Sequence, residues 1–432
     1  MADALAWETI LAAAAAVFTR PAFRLFRHIA CGWVLCPARH TITGMLPSAD
    51  PDGEHAHDAF HRFFRDAVWK TAPLWKTLTV ALAAALLPSD QTVGTSVDDT
   101  IAHKTGPKVD GAGVFRDPVR STKRKIVYAF GLNVVVLSLR LTLPWAPQPF
   151  GLPVNLRLYR KGGPSHVQLA AEMLREIAQW LPLHHFILTA DGAYASLAKL
   201  RPPRTHVTSR MRRDAALYDL PAPRQPGQRG RPRKKGERLP TPPAIASQAP
   251  TADWKLTNVR MRGRTVQRCL LARTLLWYKV ATDTPVLLVI VRDPARREHD
   301  DYFFTTDIHA DPGAVVSDYA GRWSIEVTFR DAKQILGAEQ PQSWRRQGPE
   351  RTVTVAFWLH SAVWLWYITV RGDKVSWPLR PWYTRKRSPS FADALAALRS
   401  ALWCQRISAS SATKPELTKI AASLVDLLAR AG

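Results

Sequence analysis

Tyr319, Arg322, Glu326 and Lys333 fall in the run YAGRWSIEVTFRDAKQILG, at offsets of three, seven and fourteen from the first. At about 100° per residue, one continuous helix carries all four side chains within an arc of roughly 60°. That face presents a phenol, a guanidinium, a carboxylate and an ammonium, either as a solvated row of weak ion pairs or as a site. Two more acids sit in strand-like surroundings, Asp99 in VDDTIAHKTG and Asp191 at the end of FILTAD. Converging carboxylates suit displacement at phosphorus, in which two magnesium ions about 3.5–4 Å apart activate the attacking oxygen and stabilise the leaving one. Magnesium takes oxygen ligands and often needs only a few carboxylates.

The elements that would position these acids can be read from the pattern. Residues 1–90 have apolar residues at helical spacing, with SADPDGEHAH as an internal turn. From Val93 the chain turns to β-branched runs, TSVDDTIA, KIVYAFGLNVVVLSLRLTLP and LPVNLRLYR, which predict an antiparallel meander. A helix from Ser165 to Leu181 follows, then the strand FILTAD, a short helix around Tyr194 to Leu200 and a strand at Thr205 to Ser209. This order is that of an RNase H-like core, an α/β fold. Ile325, Phe329, Ala332 and Leu336 form an apolar stripe beside the polar face of the late helix. Two helices are expected to end the chain, from Ser390 and from Pro415.

The spacing Tyr-x2-Arg-x3-Glu-x6-Lys resembles the Y-R-E-K signature of DDE transposases of the insertion-sequence-four-like group. The resemblance implies that Glu326 is the third catalytic carboxylate, completing a metal-binding set with Asp99 and Asp191, and that Tyr319, Arg322 and Lys333 handle the transposon end. Strand alternation sends Asp98 and Asp99 to opposite faces, so one of them joins the site. The family's catalytic Asp is followed directly by Thr, which selects Asp99. Also implied are Mg²⁺ as cofactor with Mn²⁺ as a substitute, a hairpin intermediate, and a β-rich insertion between the second and third acids. The expected partner is double-stranded DNA, both terminal inverted repeats and target, bound by a dimer. A metal-dependent nuclease of the same fold and a domesticated DNA-binding protein without catalysis are the alternatives.

Charge agrees with such a partner. Among 432 residues, 60 Lys and Arg stand against 35 Asp and Glu, a net +25 that opposes compaction unless a polyanion neutralises it. Leu74–Leu87 and Phe357–Val370 are too short for membrane spans and read as buried helices. The opening MADALAWETILAAAAAVF lacks a basic signal region, so a cytoplasmic, nucleoid-associated bacterial protein is expected, with no membrane partner. Cys31, Cys36, Cys269 and Cys404 are too scattered for a disulfide framework, and the first two lack zinc spacing.

Further DNA contacts are expected from Lys104, which lies with His103 just beyond Asp99, and from Arg229, Arg231, Arg233 and Lys234 in a Pro/Gly/Arg-rich loop. Trp254, Trp277 and Tyr278 are candidates for stacking on a flipped base. Trp377 to Arg387 interleaves aromatics with basic residues. The expected organisation is a helical, DNA-binding 1–90, a first part of the core at 91–210, a β-rich insertion at 211–302, a second part of the core at 303–372, and a basic, aromatic and helical 373–432.

Overall fold

Helical periodicity in the first ninety residues is realised as five helices: α1 Ala2–Ala12, α2 Arg20–Leu35, α3 Ile42–Ala49, α4 His57–Arg65 and α5 Thr71–Leu86. The computed structural model describes residues 2–432 apart from 89–90, 118, 123, 224–230, 232, 373–374, 376, 378–380, 383, 411–423, 426–427 and 430–432. The chain continues through β1 Thr92–His103, β2 Gly113–Arg116, β3 Tyr128–Leu141, β4 Phe150–Leu158, α6 His166–Trp180, β5 His185–Ala190, α7 Leu197–Leu200 and β6 Thr205–Arg210. Then come α8 Pro242–Gln248, β7 Lys255–Met261, β8 Arg264–Leu275, α9 Tyr278–Ala281, β9 Val286–Arg292 and β10 Asp301–Thr305. Four helices follow: α10 Pro312–Gly321, α11 Ser324–Gln334, α12 Gly348–Arg371 and α13 Phe391–Ser410.

The expected meander is present as β1, β3 and β4, paired antiparallel, with β2 added beside the start of β3. β5 then lies parallel to β1, and β6 parallel to β5. α6 realises the helix expected from Ser165 to Leu181, and a capping box starts it: Ser165 accepts from the Gln168 amide while the Gln168 side chain accepts from the Ser165 amide. These elements make an RNase H-like core flanked by N- and C-terminal helices.

The strands of the β-rich insertion are continuous with the core sheet. β10 pairs antiparallel with β6, and β9, β8 and β7 follow outward, so one ten-stranded sheet runs through both parts. The cause is the composition of β9, VLLVIVR, apolar on both faces and buried throughout. Leu288 and Ile290 join the main core, whereas Leu287, Val289 and Val291 meet Val315 and Val316 of α10 in a second, smaller one.

The N-terminal helices share the main core with the sheet. α12 runs between them, and Trp358 and Trp366 donate from their indole nitrogens to the carbonyls of Leu74 and Asp3. α12 is the one helix among the described residues long and apolar enough to cross a membrane, and 89% of that apolar window is buried within the protein, as expected for a core helix. α2 and α3 approach closely at Gly32, where an added Cβ would stand 2.3 Å from the Ala49 Cβ and 2.7 Å from its Cα. Gly32→Ala is therefore expected to destabilise the fold by about 1–3 kcal/mol, read as a lower denaturant midpoint at unchanged slope.

His360 on α12 is fully enclosed. Its ring stacks on Phe391 at 4.4 Å, and neither ring nitrogen has a hydrogen-bond partner among the described residues. Burial drives its pKa down to about 3, so the folded state holds a neutral ring. An unfolded His titrates near 6.5, so the unfolded chain gains a proton first as pH falls. Stability is then lost by up to about 1.4 kcal/mol per pH unit below roughly 6.5, flattening near the folded value. Thermal midpoints from pH 7 to 4 should fall more steeply for wild type than for His360→Leu; equal slopes would contradict this.

Candidate active site

Register across the central strands is fixed by side chains as well as by the ladder. Ser96 and Thr189 hydroxyls lie 3.0 Å apart between β1 and β5, and Thr189 also donates to the Thr95 carbonyl at 3.1 Å. Val97 thus pairs with Ala190, which sets Asp191, one residue on, beside Asp98. Ser209 on β6 pins that turn by donating to the Asp191 carbonyl at 2.7 Å, and the Asp191 carboxylate accepts from the Ala193 amide at 2.9 Å.

The helical segment that carries Glu326 is not continuous. α10 ends at Gly321 and α11 begins at Ser324, and between them Arg322, Trp323, Ile325 and Glu326 bond back three residues instead of four. Tyr319 therefore belongs to one helix, Glu326 and Lys333 to the next, and Arg322 to the junction. Tyr319 and Glu326 still flank Arg322 across the junction. α11 keeps its buried stripe of Ile325, Phe329 and Ala332, continued by Leu336. It lies close on β4, where Thr328 donates to the Gly151 carbonyl at 2.6 Å and a Cβ on Gly151 would meet the Ser324 backbone at 3.0 Å. Arg140 of β3 fixes the end of α10 by donating to the backbone carbonyl and, at 2.9 Å, to the carboxylate of Asp318.

Arg322 is the centre of the polar cluster that results. Its Nη1 donates to Asp98 Oδ2 at 2.6 Å and its Nη2 to Glu326 Oε1 at 3.0 Å, with its side chain only 12% exposed. Burial, the largest influence, pushes the Asp98 carboxyl up to about 7 against the pull of Arg322, and Asp191 and Asp99 push the same way. Burial opposes the charge on Arg322, yet Asp98, Tyr319 and Glu326 outweigh it and raise its pKa. The site is an excess of carboxylate partly neutralised by one guanidinium. Carboxylate oxygens are the ligand type a hard divalent cation takes, and Arg322 bridges two of them, those of Asp98 and Glu326.

Asp99, the expected first acid, faces the other way. Its carboxylate accepts from Tyr194 Oη at 3.0 Å and lies 3.9 Å from His166 Nε2, on the side of the sheet covered by α6. The reason is the alternation of a strand: only one of two consecutive residues can face α11, and the β1 register gives that place to Asp98.

Of the other expected contacts, Tyr319 packs its ring on Phe303 at 4.5 Å, beside Arg322. Lys333 is turned inward, donating to the Ile101 carbonyl at 2.6 Å and standing 3.6 Å from Glu339. Lys104 is likewise engaged, donating to the carbonyls of Glu339 and Pro341 at 2.8 and 3.0 Å; burial pulls its pKa down to about 8. His103 completes this second network through the Glu339 carboxylate at 2.8 Å. Arg231, Arg233 and Lys234 are exposed, and Arg229 lies outside the described residues. Among the aromatics, Trp277 is buried edge-on to Phe304, Trp254 lies under the Arg292 guanidinium at 3.8 Å, and Tyr278 lies 5.4 Å from Lys235 Nζ. Sequence reasoning passed over Trp323, which is 52% exposed at the junction between Arg322 and Glu326. A Trp placed between polar residues and off the apolar stripe was the signal for it.

The sheet order, with helices packed against it, is that of an RNase H-like core. The chain matches the family model described as DDE superfamily endonuclease over residues 15–268, and it belongs to that family. The matched span includes Asp98, Asp99 and Asp191 and ends before Glu326. No curated protein matches the chain. Among the described residues, the one group of three ligand atoms lying within 4.8 Å of one another is elsewhere: His28, Glu54 and His55, which could hold a divalent metal.

Proposed function

We propose that the protein is a metal-dependent DNA transposase of the Y-R-E-K type, which cleaves the ends of a mobile element, through a hairpin, and joins them to target DNA. The observation that supports this best is the bridge of Arg322 between Asp98 and Glu326 with Asp191 alongside, in a chain of the DDE superfamily. In this reading Asp98, Asp191 and Glu326 would hold Mg²⁺, with Mn²⁺ as a substitute. Bound metal supplies the charge that activates an attacking oxygen and stabilises a leaving one in displacement at phosphorus. Arg322, set between two of these acids, carries the planar donor fork that can take a phosphate bidentately. Tyr319 shapes the floor beside it, and exposed Trp323 offers a face on which an unstacked base can rest. Lys333 and Lys104 act by holding β1 against the end of α11.

The net charge of +25 and exposed Arg231, Arg233 and Lys234 suit a long DNA contact dominated by phosphates. Two copies acting on paired ends, in a cytoplasmic and nucleoid-associated setting, belong to the same reading. The experiment is incubation with Mg²⁺ and a duplex from the DNA flanking the coding sequence, scored for cleavage, hairpin ends and joining to a plasmid. Cleavage with joining is expected. Cleavage without joining would make the protein a nuclease, and binding without cleavage a non-catalytic DNA-binding protein.

A further inference from the structure

A second polar cluster lies away from the acids of the sheet, where α2 meets the connection between α3 and α4. His28 on α2 sets its Nδ1 2.7 Å from the Ala49 carbonyl. A carbonyl can only accept, so in the neutral ring Nδ1 carries the proton and Nε2 keeps its lone pair. That lone pair faces Glu54, whose Oε2 lies 3.9 Å away. A backbone carbonyl that fixes the tautomer from behind is the usual support of a metal-ligating imidazole. The His55 ring packs against that of His28, centroids 5.0 Å apart, and its buried Nδ1 lies 3.6 Å from Asp50 Oδ2, with no hydrogen-bond partner among the described residues.

The loop that presents Glu54 and His55 is held in advance. Both oxygens of buried Asp50 are used, Oδ1 by the Glu54 amide at 3.0 Å and Oδ2 by the His55 amide at 2.8 Å. Gly53, at a φ of +69°, makes the turn between them. One ligand atom each from His28, Glu54 and His55 lies within 4.8 Å of the others. Ligands on a tetrahedral zinc stand roughly 3.3–3.6 Å apart, given bonds of about 2.0–2.2 Å, so the cluster needs only slight closure.

We infer that His28, Glu54 and His55 form a binding site for a first-row transition ion of the zinc class, with water in the fourth position. Two imidazole nitrogens and one carboxylate suit Zn²⁺, Co²⁺ or Ni²⁺, whereas Mg²⁺ asks for oxygen throughout. The ion ties α2 to the α3–α4 connection, so its role is to brace the N-terminal helices. The inference does not rest on the catalytic reading.

The test is titration of the metal-stripped full-length protein with Zn²⁺ by calorimetry and with Co²⁺ by visible absorption, for wild type, Glu54→Gln, the double variant His28→Gln/His55→Gln and, as a control, Asp98→Asn. Wild type should bind one equivalent of Zn²⁺, show tetrahedral Co²⁺ bands and gain a few degrees in thermal midpoint with Zn²⁺. Glu54→Gln should lose about tenfold or more in affinity, and the double variant should lose the bands. Glu54 is exposed, so its substitution does not threaten folding. Zn²⁺ affinity unchanged in both variants would overturn the inference, as would no binding by wild type or binding lost only in Asp98→Asn. Cleavage failing in every variant would leave this result untouched.

Discussion

Glu326→Gln is expected to lower Mg²⁺-dependent DNA cleavage by on the order of 10²–10³-fold while leaving the thermal midpoint nearly unchanged. Glutamine preserves the shape of the side chain, and its carbonyl can still accept from Arg322 Nη2, now 3.0 Å from Oε1. What it removes is the negative charge that α11 contributes to the cluster. The surrounding packing is carried by the buried stripe of Ile325, Phe329 and Ala332, which the substitution leaves unchanged. Single-turnover rates with saturating enzyme separate a loss of chemistry from a loss of DNA binding. Cleavage at the wild-type rate would remove Glu326 from the site.

The largest expected effect on stability is that of Arg351→Ala. Arg351 is buried on α12, donates to the carbonyls of Phe64, at 3.1 Å, and Trp69, and lies over the Trp69 ring at 4.3 Å. Burial pulls its pKa down to about 10, which leaves it charged at neutral pH. Alanine would leave both carbonyls without a donor and open a cavity between α4, α5 and α12, for a loss of about 2–5 kcal/mol. Lysine restores a charge but not the planar fork that serves two carbonyls, so Arg351→Lys should recover only part. Denaturant unfolding monitored by Trp fluorescence would show it; a loss below about 0.5 kcal/mol would mean that this anchor does not hold the N-terminal helices to the core.

How far these features could be read from the chain depended on the range of the interactions behind them. The helix expected from Ser165 to Leu181 rests on local signals and is realised as α6, whose start is capped by Ser165 and Gln168 within one turn. FILTAD ends at an acid because an apolar strand must leave the core there, and Asp191 lies at that exit. The α10–α11 junction was not legible, since a break of two residues at Arg322 and Trp323 leaves apolar periodicity on both sides intact. Nor could alternation decide between Asp98 and Asp99. It says that they diverge, whereas which one faces Glu326 depends on β1 pairing with β3 and β5 and on α11 lying across β4. The joining of the insertion to the main sheet rests on β10 meeting β6, a contact between segments some ninety residues apart. His28 and Glu54 met through the packing of α2 on α3, which no short ligand spacing announces.

The central claim is that the acid face belongs to Asp98, Asp191 and Glu326. Its most direct test is a side-by-side comparison of Asp98→Asn and Asp99→Asn in single-turnover, Mg²⁺-dependent cleavage of the flanking duplex, each variant checked for folding. The account predicts that Asp98→Asn falls as far as Glu326→Gln, while Asp99→Asn, which keeps an acceptor for Tyr194, stays within about tenfold of wild type. An inactive Asp99→Asn beside an active Asp98→Asn would contradict it and would put the first acid on the opposite face of β1.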